Sequence, residues 1–140
     1  MKKYLFSCLF ILLVNSCAAP PHETVIHEPG PYPENYLEQI LCYLEIALEH
    51  PGSIRDFEVV KPPEIVAIDT YYGYIPLYEG QEVWETFIAY EAKDPTGQYR
   101  GRDLHVVWIR HNRLVAFDYK ELELEYRLRK KRGESCAADS

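Results

Sequence analysis

The side chains able to do chemistry are few in kind and widely spaced. His22-Glu23 and His27-Glu28 repeat an imidazole–carboxylate pair five residues apart, and these are donors that hold transition metals. Both pairs lie in a proline-rich stretch without fixed geometry, so a solvated linker is the expected role. His105 and His111 bracket one apolar run and read as hydrogen-bonded or surface histidines rather than ligands. Glu82 and Glu85 are a carboxylate pair without a surrounding hydrolase pattern. Glycosidase chemistry needs two carboxylates roughly 5–10 Å apart across a sugar site. A hydrolase would therefore require Glu82, Glu85, His105 and His111 to converge in a cleft. No Gly-x-Ser-x-Gly, phosphate loop or His-Glu-x-x-His occurs. The residues assign no catalytic group, metal or cofactor. Tyr71, Tyr72, Tyr74 and Tyr78 crowd one irregular stretch. They make either a partner-binding surface, since tyrosine joins apolar area to a polar tip, or a set of rings packed into a sheet.

Four cysteines complete the reactive inventory. The first two belong to the opening stretch, MKKYLFSCLFILLVNSC. Lys2 and Lys3 form a charged start, and Tyr4 to Val14 is an apolar or small-residue run. The run is shorter than the roughly 20 residues of a membrane-spanning helix and suits the core of a secretory signal. It stops at Val14-Asn15-Ser16-Cys17, which resembles a bacterial lipobox, with Asn15 a less usual choice at its place. The resemblance implies a lipoprotein: cleavage before Cys17 and acylation of its thiol, removing 1–16 as a signal peptide. Ala18 in the second position then implies the outer membrane, facing the periplasm. The alternatives are an ordinary signal cut near Ala18-Ala19 or an uncleaved anchor. Cys8 leaves with the signal. Cys42 and Cys136 remain in an oxidising compartment, where a disulfide persists. They either pair with each other or stay as a semi-buried thiol and a tail thiol.

Losing Lys2 and Lys3 takes the formal charge from −7 to −9. The remaining charge is uneven: residues 127–140 carry +3 through Arg127, Arg129, Lys130, Lys131 and Arg132, leaving −12 on residues 17–126. An acidic body disfavours nucleic acid, whose affinity comes largely from cationic contacts. The basic run either meets anionic lipid headgroups or an acidic partner, or is a solvated tail.

The elements that must position these groups follow from patterning. Residues 17–33 hold five prolines and read as a tether, because proline favours extended backbone. Glu34 to Glu49 reads as a helix, with Leu37, Leu41, Leu44 and Leu48 on its core face, Cys42 off that face, and Pro51-Gly52 ending it. Residues 55–60 read as a strand broken by Pro62-Pro63, and 65–68 as another. Residues 69–80 read as an irregular hairpin or loop and 81–93 as a strand. Asp94-Pro95-Thr96-Gly97 makes a turn. Strands at 104–110 and 114–117 join through His111-Asn112. Over 120–131 the strict alternation of Leu122, Leu124, Tyr126 and Leu128 favours a strand. The pairs Glu123–Arg127 and Glu125–Arg129 favour a helix, and a helix is expected. The expected fold is α+β: an N-terminal helix on a small antiparallel meander over 34–119, followed by a charged segment over 120–140.

Two segments carry a further resemblance: Tyr43-Leu44 with His50-Pro51-Gly52-Ser53-Ile54-Arg55-Asp56-Phe57, and Trp84 with Tyr90-Glu91-Ala92-Lys93, Gly97-Gln98-Tyr99-Arg100-Gly101 and an apolar strand running into Asn112-Arg113-Leu114-Val115. Together they resemble small exported domains of Gram-negative bacteria. Those domains have a helix ending near Asp-Pro-x-Ser-x-Arg-Phe, a strand ending Asn-Ala-Lys, and then Gly-x-Tyr-x-Gly. His50 departs from the usual Asp, and Tyr90-Glu91 from the usual approach to Asn-Ala-Lys. The resemblance implies fold and compartment, and marks Ser53, Arg55, Lys93, Tyr99 and Gly101 as recurrent positions, structural or binding. The expected function is binding or assembly by a membrane-anchored envelope protein with a protein partner. The alternatives are a secreted inhibitor or ligand-binding module, then a small hydrolase.

Overall fold

The computed structural model describes residues 27–69, 75 and 77–134. Their order is helix α1 (Tyr36–Ala47), a short 3₁₀ turn (Pro51–Ser53), strands β1 (Arg55–Ala67), β2 (Glu82–Lys93), β3 (Tyr99–Arg110) and β4 (Arg113–Phe117), and helix α2 (Leu124–Arg132). The strands form one antiparallel sheet in sequence order. This is the α+β meander expected, with the C-terminal segment helical.

β1 runs straight through Pro62-Pro63 instead of breaking there. The register moves from Lys61↔Phe87 to Glu64↔Glu85, so two prolines oppose the single residue Thr86. Thr86 is fully buried, and its hydroxyl donates to the Lys61 carbonyl at 2.7 Å. β1 is an edge strand, where a missing N–H and a bulge are tolerated. A second irregularity lies between Arg55 and Glu58, where Asp56 has φ 52. At the other end of the sheet His111 and Asn112, with φ 48 and 57, make the tight reversal between β3 and β4.

The helix meets the sheet with a face that only partly matches the expected leucine stripe: Leu44 is buried and Leu48 packs against the core, but the other two stripe leucines are not in it. Leu37 and Leu41 are 39% and 45% exposed, while Ile40 and Leu44 are 0% and 1%. The buried arc runs through Ile40, Tyr43 and Leu44 and on to Gln39 and Cys42. It is centred near Tyr43, about 130° round the helix from the middle of the leucine stripe. Tyr43 decides this: its ring packs 5.0 Å from Phe117 and 5.4 Å from Tyr126, joining α1 to β4 and α2. Around these rings lie Ile88, Val107, Ile109 and Leu114. The opposite sheet face buries Val83, Val106 and Trp108 beneath Ile68, Ile75 and Leu77.

Residues 27–33 lie against the body although they read as tether. The Glu82 N–H donates to the His27 carbonyl at 2.7 Å, and the His111 N–H to the Pro29 carbonyl at 2.7 Å. The Trp84 indole donates to the Gly30 carbonyl at 3.1 Å, and Pro33 is buried. Among the described residues no helix is long and apolar enough to cross a membrane.

Candidate functional site: a basic cleft beside the second helix

The cleft is built where three elements meet. α1 contributes Gln39, and Asn35 just ahead of it; the β3–β4 reversal contributes Asn112 and Arg113; α2 contributes Tyr126, Arg127, Lys130 and Lys131. The cavity between them holds about 640 Å³. Gln39 sets its geometry. It is 6% exposed, and its carbonyl oxygen accepts the Leu114 N–H at 3.0 Å. Its amide donates to Asn35 Oδ1 at 2.8 Å and to the Asn112 carbonyl at 3.2 Å. A buried amide satisfied in this way locks helix and turn together, because an unmade bond there costs about 1–3 kcal/mol.

The wall from α2 exists because Leu122 and Tyr126 are buried, which fixes the rotation of the helix. Leu124 and Leu128, their partners in the alternating sequence pattern, are then 60% and 40% exposed. Gly133 closes the helix in the left-handed region at φ 74. Arg129 pairs with Glu125 at 2.9 Å as expected, but Arg127 pairs with Glu121 rather than Glu123. Among the described residues Arg113, Lys130 and Lys131 make no ion pair. Burial, with the Glu123 and Asp118 carboxylates adding to it, pushes the Tyr43 phenol up to about 12. Burial likewise takes Tyr126, beside Tyr43, to about 12. Cationic side chains sharing a cavity with the neutral Tyr126 phenol and the Asn35, Gln39 and Asn112 amides suit an anionic group, which arginine binds through its planar fork and lysine as a point charge.

The family-like positions come together at the opposite end of the sheet. Ser53 Oγ donates to the His50 carbonyl at 2.6 Å and accepts the Lys93 N–H at 2.9 Å. The Tyr99 hydroxyl donates to the Ser53 carbonyl at 3.0 Å. Arg55 lies 3.6 Å over the Tyr99 ring and bonds Glu91 at 2.5 Å. That bond, and after it the Gly101 N–H, holds the Glu91 carboxyl below its usual range. Lys93 Nζ lies 5.6 Å from the same ring. The set clamps the 3₁₀ turn to β2 and β3. Next to it, Thr96, Gln98 and Arg100 converge on Asp94 and hold its carboxyl far below the ordinary range.

The hydrolase set does not converge. His105 bonds Asp118 at 2.8 Å and stacks on Tyr90 at 4.5 Å, on the helix-covered face. Glu85 accepts from the Trp108 indole at 3.0 Å on the other face. His111 belongs to the reversal and Glu82 to the start of β2. Among the described residues no His, Cys, Asp and Glu group has a metal-holding arrangement. His22-Glu23, Cys17, Tyr71, Tyr72, Tyr74 and Cys136 lie outside the described residues; Tyr78 is 62% exposed. Cys42 is buried and disulfide-bonded, not a free thiol, and its partner lies outside the described residues.

The run 127–132 pointed at part of the cleft. Asn112 was legible as part of the reversal and Arg113 as the residue after it, but neither they nor Asn35 and Gln39 were marked as site residues, being separated in sequence and joined only by folding. No known protein family, curated protein or solved structure matches this chain.

Proposed function

We propose that this chain is a lipid-anchored protein of the bacterial envelope that acts by binding, and that the basic cleft is its binding site. The observation carrying this reading is the gathering of Arg113, Arg127, Lys130 and Lys131 around one cavity, on a chain whose residues 17–126 are formally −12. Cations concentrated against an acidic background select for an anionic group, of carboxylate or phosphate type, on an envelope component. Binding of this kind needs no nucleophile or proton donor. The opening stretch ending at Cys17 supports the anchor, since two or more acyl chains hold a protein stably on a membrane.

The test is calorimetric titration of the purified protein with glycerol phosphate, at low and high salt. Saturable binding that weakens with salt is expected. Arg113→Ala should weaken it about tenfold, the loss of one charge-assisted contact of about 1.4 kcal/mol. Unchanged affinity in that variant, or no binding at low salt, overturns the site. Intact mass of the membrane-extracted protein should show acyl mass, absent from a Cys17→Ala variant.

A further inference from the structure

We infer that the anionic group taken by the cleft is an anionic phospholipid headgroup, and that α2 lies on the membrane surface with Leu124 and Leu128 turned toward the acyl region. The inference rests on the anchored-binder reading and gives its site a ligand class.

Three features of the molecule coincide. First, at 100° per residue Arg127 and Lys131 fall between the cleft-lining Tyr126 and the outward Leu124 and Leu128. One continuous strip therefore passes from basic cleft to exposed leucine. Leu124 and Leu128 are 60% and 40% exposed, one turn apart, with Arg132 flanking them. The outward apolar pair is small, so the attraction of this surface to anionic lipid comes chiefly from its cations, each of which adds to it near the surface.

Second, the chain enters the body next to this strip. The Pro29 carbonyl bonds the His111 N–H, and the neighbouring Asn112 and Arg113 line the cleft. Ten residue steps separate Cys17 from His27, so their reach is at most about 36 Å. A domain of about 100 residues is of similar breadth, with a radius of gyration of about 13 Å. A lipid on Cys17 therefore holds the cleft end close to the membrane more easily than the far end.

Third, the far end does not offer the same chemistry. There Arg55, Arg100 and Arg102 are paired with Glu91, Asp94 and Glu58. At the cleft end Arg127, Arg129 and Arg132 are paired as well, but Arg113, Lys130 and Lys131 gather there around one cavity, whereas at the far end Lys93 lies by the Tyr99 ring. A soluble anion would account for the cleft, but not for two exposed leucines beside it on the membrane side.

The experiment is hydrogen exchange on the full-length, membrane-extracted protein reconstituted into vesicles. One set is neutral phosphatidylcholine; the other adds phosphatidylglycerol. Exchange in peptides covering 120–134 should slow about fivefold in the anionic vesicles, with α1 and the sheet unchanged. The surface variant Lys131→Glu and the double variant L124S/L128S should each abolish the slowing. Equal exchange in both vesicles, or slowing that survives both variants, overturns the inference. If glycerol phosphate still binds while the vesicles have no effect, the cleft stands as a site for a soluble anion and the headgroup assignment falls alone. A protein without acyl mass that washes off the vesicles overturns the anchored reading, and this inference with it.

Discussion

Tyr43, Tyr90 and Tyr126 show how single residues tie stability to pH. Burial pushes each phenol from 10 up to about 12, because a phenolate is poorly solvated among apolar neighbours. In the unfolded chain each ionises near 10. Across pH 10 to 12 the folded state thus holds protons the unfolded state has released, and stability falls as pH rises through that window. Below pH 10 these tyrosines make no pH-dependent contribution. Denaturant melts from pH 8 to 12, with tyrosinate absorbance followed in parallel, should show a flat region and then a loss beginning near 10. Tyr126→Phe should make the loss shallower. Phenols titrating at 10 in the folded protein would contradict the packing of Tyr43 on Tyr126.

Among the elements, α1 carries the main lesson about reading a face. Its leucine stripe and the arc through Ile40, Tyr43 and Ala47 have equally good helical spacing, so periodicity does not choose between them. The choice is made by Phe117 and Tyr126, which arrive from β4 and α2 to meet Tyr43. Ile40→Ala should cost about 2–5 kcal/mol, as a buried side chain leaving a cavity does. Leu41→Ala, at 45% exposure, should cost less than about 1 kcal/mol. Urea melts of the two variants separate the faces, and equal losses would restore the leucine stripe to the core. α2 teaches the reverse: its alternation suggested a strand, but Leu122 and Tyr126 are also one helical turn apart. The order Glu125–Arg129 supports the helix.

For the whole molecule, the disulfide at Cys42 connects the body to chain outside it. Cys42–Cys136 is the pairing expected of an anchored protein, since Cys8 would leave with the signal and an acylated Cys17 has no thiol to give. Peptide mapping without reductant should recover a Cys42–Cys136 cross-link. A Cys17–Cys42 peptide would overturn both that pairing and the lipid anchor. Reduction should lower the melting temperature, because the bridge restricts the unfolded chain.

The sequence by itself determined the elements. Strands at 81–93, 104–110 and 114–117 were legible, though β3 begins five residues earlier, at Tyr99; so were the reversal from His111-Asn112, α1 from its helix formers, and the likeness to an exported lipoprotein from residues 1–17. These are local signals, set by backbone propensity and by periods of two and 3.6 residues. Only the tertiary structure decided which face of α1 is inward, how Pro62-Pro63 passes within an edge strand opposite Thr86, and that Ser53, Arg55, Glu91 and Tyr99 form one clamp. It also brought Arg113 to the cations of α2, 14 residues from Arg127 in sequence. Each of these depends on a partner distant along the chain. A propensity acts on a residue and its neighbours, whereas burial, bulges and charge clusters are settled by whatever the fold places opposite.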